Sequence, residues 1–343
     1  MKKAELKIGL LGLGRLGRIY AGQLARQIAG ARLVAVADPL PDRAKQIAEE
    51  WGVEKSGSDP LGLIDDPQVD AVVIASPTHT HKELVIAAAR RNKKIFCEKP
   101  LSLSLREAIE IKEAVDHSGA FFQMGLMRRF DRGYAAAKKR IEQGVIGRPL
   151  VFKASSRDPF LPALEYLDPK TSGGIFIDMG IHDFDLALWL IGRVRTVTSI
   201  GGVLAFPQVE EMGDIDNAIV TLIFEEGQLG VVDLSRSGLY GYDISADILG
   251  SAGTLRVGYL RETPVLVMTK DGVAHDVVPY FPERFGQAYR DQLQNFVDNV
   301  RAGRPAPVTL ADGIEALRVS VAATESFRTG RPVEIAAISE PRA

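Results

Sequence analysis

At 343 residues the chain exceeds the ~250 at which a single hydrophobic core stops growing, so two domains are expected. Its 42 basic and 44 acidic residues leave a formal net charge of -2 with no charge blocks, which excludes a cationic surface for nucleic acid. Cys97 is the single cysteine, which excludes an intrachain disulfide or a cysteine zinc cluster and fits a reducing, cytoplasmic compartment.

No stretch approaches the ~18 apolar residues of a membrane span. Lys2 and Lys3 precede an apolar run, but Glu5 and Lys7 interrupt it, and the run reads as a first strand rather than a signal segment. From there to about residue 125, short aliphatic runs alternate with amphipathic helical stretches, the pattern of strand-helix-strand units and a parallel sheet. Strands are predicted at residues 6–11, 33–37, 71–75, 94–97 and 121–124. Pro41 is placed as a first helical residue, and Thr80 with Glu83 three positions on reads as a capping box. Two helical stripes stand out, Gly17, Ala21, Leu24, Ile28 and Leu105, Ala108, Ile111, Val115.

A helical stretch at 134–143 closes this pattern, and period-two alternation takes over. Residues 216–224 and 229–234 flank the turn Glu226-Gly227 as an antiparallel pair; further strands are predicted at 242–249, 254–257, 265–268 and 274–278, a mainly antiparallel sheet of about five or six strands. Helices return at 284–302 and 311–329, separated by Gly303-Arg304-Pro305. The expected division is 1–125 and 126–343, with the last helices free to pack back on the first domain. Because the strands at 216–224 are apolar on both faces, helices on one face leave the other needing cover, and a homo-oligomer packed sheet to sheet, a dimer or tetramer, is expected.

Gly12-Leu13-Gly14-Arg15-Leu16-Gly17 follows the first strand directly and opens the first helix, the context that makes a G-x-G-x-x-G run a dinucleotide site. The first glycine permits the tight turn, the second lets a pyrophosphate approach the backbone, and the third lets helix and strand pack closely. Asp38 ends the second strand about 20 residues on, where a carboxylate accepts hydrogen bonds from the adenosine ribose hydroxyls; a cap on the next helix would use it equally. That carboxylate repels a 2′-phosphate, and no arginine immediately follows it, so NAD is preferred to NADP.

In Ile95-Phe96-Cys97-Glu98-Lys99-Pro100 a charged pair lies just past a buried strand, where ligands bind in open α/β sheets. Lys99 is placed for a substrate hydroxyl, the ordinary alternative being a solvated loop residue. Farther on, Ser172-Gly173-Gly174-Ile175-Phe176-Ile177-Asp178-Met179-Gly180-Ile181-His182-Asp183-Phe184-Asp185 puts Asp178 and His182 four residues apart. If the segment is helical they share a face, with Asp185 three residues beyond, and a carboxylate near an imidazole suits a general base. Asp178 as a helix cap and His182 as a structural histidine stay open. No dense ligand motif supports a metal.

These segments, with Ser76-Pro77-Thr78-His79-Thr80-His81, resemble the glucose-fructose oxidoreductase and inositol dehydrogenase (Gfo/Idh/MocA) family over nearly the whole chain. The resemblance implies an NAD-binding Rossmann domain plus an α+β domain with a large, mainly antiparallel open sheet. It implies that Lys99 binds the reacting hydroxyl, that His182 takes its proton and that Asp178 supports substrate and base. It also implies a cofactor site of Gly12, Gly14, Arg15, Leu16, Gly17, Asp38, Ser76, Thr78, His81, Glu98 and Lys99.

Met127-Arg128-Arg129-Phe130-Asp131, Gly173-Gly174-Ile175-Phe176 and Tyr240-Gly241-Tyr242-Asp243 look like inositol 2-dehydrogenases within that family, whereas Arg157-Asp158-Pro159 and Asp243-Ile244-Ser245 depart from their pattern. A cyclic polyol needs several fixed donors and acceptors to select one hydroxyl, and Arg128, Arg157, Asp158, Tyr240 and Tyr242 are candidates beside Lys99, Asp178 and His182. The expected activity is NAD-dependent oxidation of a secondary hydroxyl of an inositol, myo or scyllo, to the ketone. A dehydrogenase of another sugar, an aldose or anhydrosugar, keeps the same residue roles; an NAD-dependent glycosidase and a non-catalytic nucleotide-sensing protein are the alternatives of other classes.

Overall fold

The computed structural model describes residues 4–338, so Lys2, Lys3 and the outer ends of the two expected domains lie outside it. The chain divides into two compact units. One takes in residues up to Met127 together with Ala288–Ile314, and the other Arg128–Gln287 together with residues from Glu315 on. The long helix Phe281–Ala302 carries residues of both.

In the first unit, β1 (Leu6–Leu11), β2 (Ala31–Ala37), β3 (Lys55–Gly57), β4 (Ala71–Ile74), β5 (Lys94–Glu98) and β6 (Phe122–Gly125) form one sheet in the order β3-β2-β1-β4-β5-β6, parallel throughout. The central strands read as unbroken aliphatic runs because they are covered on both faces; Ile8, Leu10, Val72, Ile74, Ile95 and Cys97 are wholly buried. The residues of both predicted stripes are buried, Gly17, Ala21 and Leu24 on Arg15–Arg26 and Leu105, Ala108, Ile111 and Val115 on Leu105–Ser118, although Ile28, placed at the end of the first stripe, lies past that helix. Pro41 opens the helix Pro41–Trp51 as predicted. The capping box at Thr80 does not form: Thr80 Oγ1 donates to the Pro77 carbonyl at 2.8 Å, and the helix His81–Arg90 begins without a side-chain cap.

The second unit is built on seven strands, more than the five or six expected. They are β7 (Pro149–Arg157), β8 (Val194–Gly202), β9 (Asn217–Phe224), β10 (Leu229–Ser235), β11 (Asp243–Gly250), β12 (Thr254–Val257) and, past the ribbon described next, β15 (Val333–Glu334), in the order β12-β11-β7-β10-β9-β8-β15. Only the β7–β10 pair is parallel. Two of the predicted sheet strands are corrected: β13 (Val267–Thr269) and β14 (Gly272–Ala274) pair with each other in a separate two-stranded ribbon, exposed along its length.

Alternation along β7 and β9 sorts the sheet's two faces. Phe152, Ala154 and Ser156 with Ala218, Val220, Leu222 and Phe224 are buried on one side. The other carries the exposed Ile200, Ile219, Leu229 and Leu249.

Candidate active site

The dinucleotide turn of the first unit tolerates no side chain at two of its glycines. Gly12 has φ +87, and a Cβ there would meet Ser76 Cα at 2.5 Å. At Gly17 it would meet the Gly12 carbonyl oxygen at 2.0 Å, so the helix can lie against the turn only without it. Gly14, by contrast, faces open space, and the helix it precedes has neither a side-chain cap nor an acidic residue in its first turn. Uncapped N–H groups, the positive helix end and room beside Gly14 fit a pyrophosphate. Arg15 is exposed and Leu16 half-buried at that end.

Asp38 is buried at the end of β2, and its carboxylate accepts the Leu13 N–H at 2.8 Å and the Leu40 N–H at 3.0 Å. It thereby pins the glycine turn. Sequence reading missed its third partner. Arg43, one helical turn into Pro41–Trp51, places Nη1 3.4 Å from both carboxylate oxygens.

The loop after β4 is held from below. His81 is buried, with Nδ1 2.8 Å from the Pro100 carbonyl and Nε2 2.9 Å from the Ser76 carbonyl. Burial pushes its pKa down, and a neutral ring donates to only one of two carbonyls. His81 therefore braces this loop against the Lys99-Pro100 loop, and both ring nitrogens are engaged by backbone. Ser76 Oγ lies 2.6 Å from Thr80 Oγ1, and Thr78 begins the short turn Thr78–Thr80.

Glu98, proposed from sequence as a cofactor contact, turns inward. One carboxylate oxygen accepts from the Tyr20 hydroxyl and from Gln292 Nε2 at 3.2 Å, and the other accepts the Lys99 N–H at 3.1 Å. Gln292 Nε2 also lies 2.6 Å from the Tyr20 hydroxyl. Burial raises the Glu98 pKa to about 7, opposed by the Tyr20 hydroxyl and the Lys99 charge. The result is a carboxyl with no closed ion pair, fixing the backbone of the half-buried Lys99. Tyr20 and Gln292 carried no sequence signal beyond being polar on otherwise apolar helix faces.

In the second unit, Gly173 (φ +84) and Gly174 (φ +73) take left-handed conformations and aim the Ile175 N–H at Asp214 Oδ1, 3.1 Å away. A Cβ on Gly174 would meet that oxygen at 2.9 Å. Asp178 ends the short helix Gly174–Asp178, and His182 lies in the first turn of the next, Ile181–Leu190. The two thus sit in consecutive helices rather than one, although Met179 and Gly180 keep right-handed helical dihedrals between them. Gly180 is packed so closely that a Cβ would meet the Phe176 carbonyl oxygen at 2.8 Å and Leu234 Cδ1 at 3.0 Å.

Asp178 keeps 37% of its side-chain surface exposed, with the buried Arg236 placing Nη2 3.5 Å from Oδ2. Arg236 had not been singled out. Its Nη2 also lies 3.6 Å from Asp214 Oδ2, and burial pushes the Asp214 carboxyl above its usual range against the pull of Arg236.

Several polyol-binding candidates are occupied elsewhere. Arg128 is 2% exposed, donating to Asp183 Oδ1 at 2.6 Å and to Ser156 Oγ at 3.1 Å. Arg129 clasps Asp185 at 2.6 Å, so the acidic pair beyond His182 is matched by an arginine pair. Arg157 donates to Asp233 Oδ2 at 3.0 Å and to the Tyr240 hydroxyl at 2.9 Å, and that hydroxyl donates to Asp243 at 2.8 Å. Ser156 points to the helix that carries His182, bonding Asp183 at 2.7 Å, so its neighbour Arg157 projects from the opposite sheet face. Asp158 is half-buried, and Tyr242 is buried edge-on to Tyr280 and Phe285. Lys99 belongs to the first unit, Asp178 and His182 to the second.

Two family models match. "Oxidoreductase family, NAD-binding Rossmann fold" covers residues 6–126, and "Oxidoreductase family, C-terminal alpha/beta domain" covers 138–335. Among curated relatives, the scyllo-inositol 2-dehydrogenase (NAD(+)) of Bacillus subtilis is 44% identical over 96% of both chains. The myo-inositol 2-dehydrogenase of Thermotoga maritima is 42% identical over 96% of this chain and 98% of its own. Among solved structures, scyllo-inositol dehydrogenase from Lactobacillus casei, with bound NAD(H) and scyllo-inositol, superposes with a TM-score of 0.93 at 30% identity, covering 97% of this chain and 99% of that one. With a glycine turn built for a pyrophosphate and both domains matched, the chain belongs to the GFO/IDH/MocA oxidoreductase family and uses NAD.

Proposed function

We propose that the protein is an inositol 2-dehydrogenase, oxidising one secondary hydroxyl of a myo- or scyllo-inositol ring to the ketone. The observation that carries this reading is full-length similarity at 44% and 42% to two relatives with that activity. Residues up to 125 hold the cofactor, and residues from 126 on, together with Lys99, hold the substrate. Gly12, Gly14, Arg15, Leu16 and Gly17 hold the pyrophosphate, Asp38 the adenosine ribose, and Ser76, Thr78 and Lys99 face the nicotinamide end. NAD, when bound, supplies the hydride acceptor.

The chain's own groups manage the proton and the substrate. The Lys99 ammonium donates to the reacting hydroxyl oxygen and stabilises developing negative charge there. His182 removes the hydroxyl proton as general base. The Asp178 carboxylate accepts a hydrogen bond from the substrate and supports the imidazolium that forms.

The exposed row Ile200, Ile219, Leu229 and Leu249 supports packing of the open sheet face against a second copy, as a dimer or tetramer. The single, buried cysteine supports a cytoplasmic enzyme. Among the described residues no helix is long and apolar enough to cross a membrane.

The test is a panel of myo-, scyllo- and chiro-inositol and common pyranoses with NAD, following reduced nicotinamide absorbance. One inositol should stand clear of the rest. A pyranose as the preferred substrate, or glycoside cleavage with no net NADH, overturns the reading. Sedimentation showing only monomer at micromolar concentration overturns the oligomer.

A further inference from the structure

Arg236 heads the wholly buried side chains in size, with 1% of its surface exposed. A buried guanidinium is costly unless its donors are met at close range. Two other buried arginines of this unit each close on a carboxylate, Arg128 on Asp183 at 2.6 Å and Arg284 on Asp131 at 2.7 Å, as does the half-buried Arg129 on Asp185 at 2.6 Å. Arg236 does not. Its contacts with Asp178 and Asp214 are 3.5 and 3.6 Å, and Asp214 Oδ2 has no hydrogen-bond partner.

A second contrast lies in the carboxylates. Asp183 and Asp185 are sealed at 0% and 1% exposure, whereas Asp178 has 37% of its side chain exposed. A pair that served only to hold the fold would be closed and dry; this one keeps a buried cation against a carboxylate that is part exposed. The local architecture sets the spacing. In the β9–β10 pairing Ser235 faces Asn217, and the Arg236 N–H bonds the Asp216 carbonyl at 2.8 Å, which brings Arg236 beside Asp214. Asp214 in turn holds the first N–H after Gly174, at the start of the helix that ends in Asp178.

We propose that Arg236 is a positioning residue for the dehydrogenase reaction: it holds Asp178 ionised and oriented toward the substrate hydroxyls, while Asp214 anchors the guanidinium from the other side. This rests on the reading that Asp178 touches substrate. Arg236 itself touches neither substrate nor cofactor. Its effect should therefore pass through Asp178 and vanish when Asp178 is no longer a carboxylate.

The experiment is a double-mutant comparison of kcat and KM with scyllo- or myo-inositol and NAD, together with thermal melting. Arg236→Met should lower kcat about 30-fold and raise the inositol KM several-fold, with the NAD KM within about two-fold of wild type. Arg236→Lys, which keeps the charge but not the fork, should fall between, about five-fold down in kcat. In an Asp178→Asn background neither change should cost more than about two-fold further, whatever it does to the melting temperature. If Arg236→Met is insoluble, Arg236→Lys in the two backgrounds makes the same comparison. Wild-type turnover by Asp178→Asn overturns the assignment of Asp178 and the role of Arg236 with it. An impaired Asp178→Asn enzyme in which the Arg236 changes cost the same factor as in wild type overturns the role of Arg236 alone.

Discussion

Lys99 and Asp178 are both supported by a buried charged side chain, and the two supports are built in opposite ways. Behind Lys99, Glu98 is saturated: a hydroxyl, a carboxamide and a backbone N–H fill its oxygens, and burial brings its pKa to about 7. Behind Asp178, Arg236 is a buried guanidinium whose carboxylate contacts stay at 3.5 Å or more. The first arrangement fixes a backbone and can take up or release a proton near neutrality. The second supplies an unvarying field. On the proposed roles, a group that must be placed gets hydrogen bonds to its main chain, and one that must stay ionised gets an opposite charge.

The largest expected effect tests whether the chemistry resides where the fixed charge is. His182→Ala should lower kcat by ~10²-fold or more with NADH affinity nearly intact, read from steady-state turnover and fluorescence titration. Wild-type turnover would remove the chemistry from this segment. Next, Asp38→Ser should shift the NAD:NADP ratio of kcat/KM toward NADP by about 30-fold, because the freed Arg43 guanidinium becomes a partner for a 2′-phosphate. Adding Arg43→Ala should reverse most of that gain. A ratio unmoved by Asp38→Ser would show that the carboxylate serves the glycine turn alone.

The titratable support gives a pH signature. Glu98 has a folded pKa of about 7, above its ordinary value, so between pH ~4.5 and ~7 the folded state binds the extra proton. Its contribution is favourable at the acid end and is lost as pH rises through that window. Glu98→Gln removes the loss, so its stability relative to wild type should climb across the window by up to about 1.4 kcal/mol per pH unit, measured by urea unfolding at a series of pH values. A constant difference from pH 5 to 8 would mean that Glu98 stays ionised. The smallest effect is expected of Tyr20→Phe, which deletes one donor to a buried carboxylate: about 1–3 kcal/mol of stability, or a few degrees of melting temperature.

The first unit was the easier one to read in the sequence, and the reason is physical. Its central strands are covered on both faces, so they appear as aliphatic runs, and Gly12 and Gly17 are required by contacts with backbone that no other residue permits. Only β3 escaped, three exposed residues with no apolar signal. In the second unit, periodicity found β9, β10, β11 and β12, but the apolar residues at 265–268 belong to an exposed ribbon, since hydrophobicity alone does not say what will cover a strand.

The site divided in the same way. Candidates with local signatures, such as Gly12, Asp38, Lys99 and His182, can be proposed from the sequence. Their supports cannot, because Tyr20, Gln292, Asp214 and Arg236 acquire meaning only through partners from 22 to 272 positions away. Arg43 was missed over a shorter range: one turn of helix folds it back onto Asp38.

Cys97 lies wholly buried in β5, at the centre of the parallel sheet, and burial together with the adjacent Glu98 pushes its thiol well above the usual range. A reagent that attacks thiolates can reach it only when that sheet opens. Since no other sulfhydryl competes, the rate of alkylation under native conditions, divided by the rate in denaturant, reads out the opening free energy of the cofactor-binding half without any engineered label. The same inaccessibility lets the enzyme be handled in air without reductant, and a change in that rate on adding NAD would record ligand binding as protection of a single atom.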